Sequence, residues 1–155
     1  MRKLLVIAAL VVMGAPARAD NGVALGVFVG EPTGLDLKLG LGFRSSLDLV
    51  LGWDTIRDGR DHYAHVTYLA TLVRAHGRAV DVPIRLGLGG AIYDDGSFNN
   101  GINLAVRAPL EVGFHFRNAP VELYGEVALK LTFVDEHDNN DTVDLDGGIG
   151  FRIYF

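Results

Sequence analysis

Thr142-Val-Asp-Leu-Asp-Gly-Gly-Ile-Gly-Phe-Arg-Ile-Tyr-Phe155 alternates along its whole length. Val143, Leu145, Gly147, Ile149, Phe151, Ile153 and Phe155 form one set. Asp144, Asp146, Gly148, Gly150, Arg152 and Tyr154 form the other. Successive side chains of a strand point to opposite faces, so this period of two predicts a β-strand with one apolar and one polar face.

The same pattern recurs upstream. Alternating segments are expected near Gly22–Gly30, Thr33–Leu41, Ser46–Asp54, His62–Arg74, Val80–Tyr93, Ile102–Phe114 and Val121–Phe133, which with the last stretch makes eight. Apolar residues nowhere recur at helical spacing after residue 20, so the fold class is all-β. Pro83 and Pro109 fall inside strands, where each removes a ladder donor; bulges or kinks are expected there. Eight strands of this length suit an antiparallel up-and-down barrel, in which spanning a bilayer takes ~9–11 tilted residues per strand.

A soluble lipocalin-like barrel would show the same period, with its apolar face turned inward around a ligand. Three features favour apolar outside. The apolar face is continuous on nearly every strand. The polar face is crowded with small residues, among them Gly26, Gly52, Gly87, Gly113, Ala128 and Gly150, which suit a narrow interior. Phe28, Trp53, Phe114, Phe133 and Phe155 sit near strand ends, as interfacial girdles do.

The polar face also carries both signs of charge. Asp36, Lys38, Asp48, Asp81, Arg85, Arg107, Glu111, Glu122, Glu126, Lys130, Asp144, Asp146 and Arg152 are expected to form a lumenal network, because enclosed charges persist only when paired. Arg85, Arg107, Lys130 and Arg152 would be its cationic nodes. Such a network plugs the barrel; the sharper alternative is a gated or proton-sensitive pore.

The amino terminus reads as a secretory signal. Met1-Arg-Lys3 is basic, Leu4 to Met13 is almost wholly apolar but too short to span a membrane as a helix, and Ala17-Arg-Ala19 before Asp20 is an A-x-A cleavage pattern. Residues 1–19 are therefore set apart from one domain at 20–155. Cleavage would remove Arg2, Lys3 and Arg18, leaving 11 basic against 19 acidic residues, a net of −8. That balance argues against nucleic acid as a partner. There is no Cys and hence no disulfide framework. Gly is frequent, with 20 residues, against an average usage of about 7%.

Taken together, these residues resemble the small eight-stranded outer-membrane barrels of Gram-negative bacteria, the broad OmpA/OmpX/OmpW-like group. Gly30-Glu-Pro-Thr-Gly-Leu35, Leu51-Gly-Trp53 and Asp144–Phe155 resemble a set of uncharacterised barrel proteins of that kind. The resemblance implies an integral outer-membrane protein, monomeric, in contact with membrane lipids and lipopolysaccharide. It also implies that Ile149, Phe151, Ile153 and Phe155 are read by the barrel-assembly machinery. The connections Gly42–Ser45, Ala75–Ala79 and His115–Pro120 are short and basic, whereas Asp54–Asp61, Asp94–Asn100 and Asp135–Asp141 are slightly longer and acidic; the first connection, Glu31-Pro32, breaks the pattern by being very tight. Periplasmic turns are the short ones in such barrels, so both termini are expected on the periplasmic side.

Barrels of this class include lipid A deacylases and palmitoyltransferases that use Ser and His. Here Ser97, Glu136 and His137 could form a nucleophile, acid and base, but their spacing does not support it. Asp135-Glu-His-Asp-Asn-Asn-Asp141 is rich in oxygen ligands yet lacks the Gly and distal Glu of an EF-hand loop; a hydrated hairpin is expected. His62, His65, His76 and His115 show no ligand spacing and read as structural. No catalytic set, metal site or cofactor is expected. The sequence reads as a non-enzymatic, side-chain-filled barrel with a structural or surface-interaction role. A narrow porin-like pore or transporter for small molecules and a secreted lipocalin-like binder are the alternatives.

Overall fold

The computed structural model describes residues 22–42, 44–54, 62–94, 102–134 and 143–155. The expected signal segment 1–19, Ser97, Glu136, His137 and the acidic loop 135–141 lie outside them. The described residues form eight strands and no helix: β1 (Val23–Gly30), β2 (Thr33–Gly42), β3 (Ser45–Asp54), β4 (Tyr63–His76), β5 (Val80–Asp94), β6 (Ile102–Phe116), β7 (Val121–Val134) and β8 (Val143–Tyr154). Each strand pairs antiparallel with its neighbour in sequence, and β1 closes on β8. Closure leaves no unpaired strand edge, which answers the main hazard of an all-β chain.

The two faces are inverted relative to a protein with an oily core. Large apolar side chains line the outside, with Leu88, Phe133, Ile149 and Val127 each about 60% exposed or more. The lumen instead holds the ionic side chains of the even residues of β2, β7 and β8 and the odd residues of β6. Register enforces this: a one-residue slip on any seam would send the charged set outward. Asp36 faces Val50 and Lys38 faces Asp48 across β2–β3, and Glu122 faces Arg152 across β7–β8.

Two expectations change. Phe28 is not a girdle residue. It shares the inward parity of Ala24 and Gly26, is 1% exposed, and stacks on Tyr124 with centroids 5.8 Å apart. Trp53, Phe114 and Phe133 do face outward. Pro83 and Pro109 leave the β5–β6 register unshifted, although the β4–β5 seam shifts opposite Ile84 and Arg85, beside Pro83. Pairing across β5–β6 is interrupted between Asp81 and Ile84 and again between Leu86 and Gly89, yet the register is the same on both sides of each gap. Each proline is spaced to oppose a glycine, Gly113 and Gly87 respectively, and the proline ring occupies the room the missing side chain leaves. The true register shifts fall at Thr33/Gly34, Gly40/Gly42, Thr71/Val73 and Leu104/Ala105. The shift in β4 turns Val73 outward after Thr71 inward, which is why that strand alternates poorly in sequence.

At one mouth the strands are joined by short connections at 43–44, 77–79 and 117–120; β1 begins and β8 ends there too. Gly42 opens the first of these at φ +133°, a backbone conformation that only glycine adopts without strain.

Candidate functional site

The lumen is the concentrated chemistry of this chain. Its largest cluster has Arg152 at the centre. Arg152 Nε donates to Asp36 at 2.6 Å, Nη2 to Asp48 at 2.7 Å, and Nη1 to Glu111 at 2.8 Å and Glu122 at 3.2 Å. Arg85 donates to both oxygens of Glu122, at 3.0 and 2.8 Å, and to Glu111. Lys38 Nζ lies 3.3 Å from Glu111 and 3.6 Å from Glu122. The guanidinium of Arg152 rests 3.6 Å above the Tyr124 ring, and Tyr124 Oη donates to Asp36. Gly150 makes this stack possible: a Cβ there would stand 2.1 Å from Tyr124 Cζ.

These side chains come from β2, β3, β5, β6, β7 and β8, so the cluster ties six strands across the barrel axis. All seven charged members are essentially unexposed. A guanidinium carries five donors in a fixed fork, and here one fork is shared among four carboxylates. Four acids are gathered on three cations.

Two smaller clusters lie towards the mouth with the longer connections. Arg107 Nη2 donates to Glu126 at 2.6 Å, while its Nη1 meets His65 Nε2 at 2.8 Å and Thr67 Oγ1 at 3.3 Å. His65 Nε2 must therefore be the acceptor, which fixes the neutral ring with its proton on Nδ1. Beyond it, Lys130 Nζ lies 2.7 Å from Asp146 and 3.2 Å from Asp144, and 5.2 Å over the Tyr93 ring. Tyr63 stacks on Tyr93 at 5.7 Å and donates to Asp146 at 3.1 Å.

Not every charge on the polar face joins this interior. Asp81 sits at the opposite mouth, where it accepts from Arg117 at 2.7 and 2.9 Å and meets His76 Nδ1 at 3.1 Å. Asp144 is half-buried at the rim and does join the network, through Lys130. The lumenal partners Tyr63, Tyr93, Tyr124, His65 and Thr67 escape sequence reading, since aromatics and His are compatible with either face. Inward parity within their strands was the available signal. On β8, Ile149 and Phe151 are exposed on the outer face, and Ile153 and Phe155 are half-buried.

The carboxylate oxygens of Asp48, Glu111 and Glu126 lie within 4.8 Å of one another. Each of these residues already accepts from Arg152, Arg85 or Arg107, so a metal ion placed among them would be repelled by guanidinium charge. What the arrangement does chemically is bind charge to charge across the barrel. Comparison with protein-family models, with curated proteins and with solved structures finds no match to this chain.

Proposed function

We infer that this chain is an integral β-barrel protein of the bacterial outer membrane, non-enzymatic, with a lumen closed by its own side chains. One observation carries the reading: the exterior is apolar and the interior is ionic. Among the described residues 31 large apolar side chains are exposed, in a belt that runs round all eight strands. Monomeric soluble proteins rarely expose contiguous apolar patches beyond a few hundred Å². A hydrocarbon surround removes that cost, and a closed barrel satisfies its backbone without water. A lipocalin-like carrier would need the opposite arrangement, with apolar side chains round a central cavity, and Leu86, Leu129 and Ile149 all point away from the axis.

Strand parity supports a two-sided orientation. The short connections belong on the periplasmic side and the longer acidic ones outside, as in other such barrels. The role that follows is structural, or surface interaction through the outward loops. Nothing in the lumen favours transport, because the Arg152 cluster reaches across the axis.

Membrane fractionation on a sucrose gradient, with heat-modifiable gel migration of the extracted protein, tests this. Recovery with outer-membrane markers and a mobility change on boiling are expected. Recovery in the soluble periplasm would sink the reading and revive the carrier.

A further inference from the structure

Each of the three short connections carries one arginine: Arg44, Arg78 and Arg117. None of the three contains an acid. The nearest, Asp81, is already engaged by Arg117 and His76. Arg44 and Arg78 are exposed and have no ion pair among the described residues. Arg117 is 43% exposed.

These turns are held, not loose. Thr71 N–H donates to Arg44 O at 2.7 Å, which seats the first turn against β4. Arg117 N–H donates to Ala79 O at 3.0 Å, which fastens the third turn to the second. The arginines therefore sit at defined points round one mouth. The apolar belt ends just beside them, with Leu72, Val73 and Phe116 outward-facing on the neighbouring strand ends. A cation fixed at the edge of an apolar belt stands at the level of lipid headgroups.

We propose that this arginine-bearing rim binds the phosphates of anionic phospholipids in the adjoining leaflet. The inference rests on the membrane reading above and adds a lipid preference to it. A zwitterionic leaflet offers its phosphates with an ammonium beside each one, so the charge that Arg44 and Arg78 meet is already compensated. An anionic leaflet offers the same phosphate oxygens uncompensated, to a guanidinium that can engage them with two donors. The acidic peptides of the cell wall are the competing partner. They lie farther from the belt, so continuity with the apolar surface favours lipid.

The test is native mass spectrometry of the folded full-length barrel, released from micelles doped equally with phosphatidylglycerol and phosphatidylethanolamine. Retention of phosphatidylglycerol over phosphatidylethanolamine is expected. A basic residue near an anionic surface contributes enough for roughly a fivefold preference each. Arg44→Gln with Arg78→Gln should abolish most of the preference, and so should raised salt. Both sites are exposed turn positions; Arg78→Gln alone, with a partial loss, serves if the double variant folds poorly. Equal retention of the two lipids by a correctly folded barrel overturns the proposal and leaves the membrane reading intact. A wild-type chain that stays water-soluble and enters neither micelles nor vesicles overturns both. Arginine-dependent cosedimentation with purified cell-wall sacculi, without lipid preference, would assign the rim to the wall instead.

Discussion

Pro83 of β5 stands across the β5–β6 seam from Gly113 of β6, with its Cγ 3.0 Å from where a Gly113 Cβ would be. Pro109 and Gly87 repeat the arrangement with the roles of the strands exchanged, at 2.9 Å. The lumen has room for one ring at each level but not for a ring and a methyl group. The seam therefore keeps its register although two ladder donors are missing.

Substitution at these glycines should expose the constraint. Gly87→Ala places a Cβ within 2.9 Å of Leu69, Thr67 and Pro109 at once. Overpacking of this kind costs about 1–3 kcal/mol. Pro109→Ala should recover part of that loss, because it removes the ring and restores an N–H donor. Urea unfolding of the single and double variants in micelles measures the coupling; strictly additive effects would contradict the packing account.

Arg152 should be the most sensitive side chain of the interior. Arg152→Met strips partners from Asp36, Asp48, Glu111 and Glu122 together. Breaking a buried pair by removing one partner costs about 3–5 kcal/mol. Arg152→Lys should rescue little, since an ammonium cannot present the planar fork those four acids share. The midpoint of heat-modifiable gel migration reads the loss. An Arg152→Met barrel as stable as wild type would refute the central role given to this residue.

Gly150→Ala should be severe for a different reason. Its Cβ would fall 2.1–2.4 Å from Cζ, Cε1 and Oη of Tyr124, inside van der Waals contact. Tyr124 would have to leave Arg152, forfeiting the ring stack and the hydrogen bond to Asp36. Adding Tyr124→Leu should restore folding yield in part. Refolding of both variants into micelles, followed by circular dichroism, checks the order wild type, double variant, single variant.

Conductance should be absent in the wild-type barrel. The Arg152 cluster joins six strands over the axis and leaves its charged members unexposed. Planar-bilayer recordings are expected to show no steady single-channel current. A large, persistent current from wild type would mean that the lumen opens.

Trp53 offers an optical test of the surroundings. It is the sole tryptophan and is 57% exposed on the outer face. Refolded into vesicles, its emission should shift to the blue and be quenched by lipids brominated on their acyl chains. Emission characteristic of a water-exposed indole in both cases would count against a lipid-facing belt.

Much of this barrel was legible before any coordinates. A period of two is a local property, so strand identity, strand number and the two unlike faces follow from neighbouring residues alone. The terminal stretch Val143–Tyr154 is one unbroken strand, and β2 and β7 alternate as cleanly. Where alternation falters, in β4, a register shift at Thr71/Val73 is the cause, and nothing in the order Thr-Leu-Val-Arg announces it.

Which acid meets which base was not legible. Arg152 and Asp36 are 116 residues apart in sequence, and Arg152 and Asp48 are 104 apart. Their meeting depends on closure of β1 against β8 and on the stagger of every seam between. The same holds for Phe28 of β1 against Tyr124 of β7, whereas Pro83 against Gly113 needs only the register of the β5–β6 seam. Local alternation decides which way a side chain points. Only the closed sheet decides what it points at, because opposite walls of a barrel come within reach of each other only after the last strand has found the first.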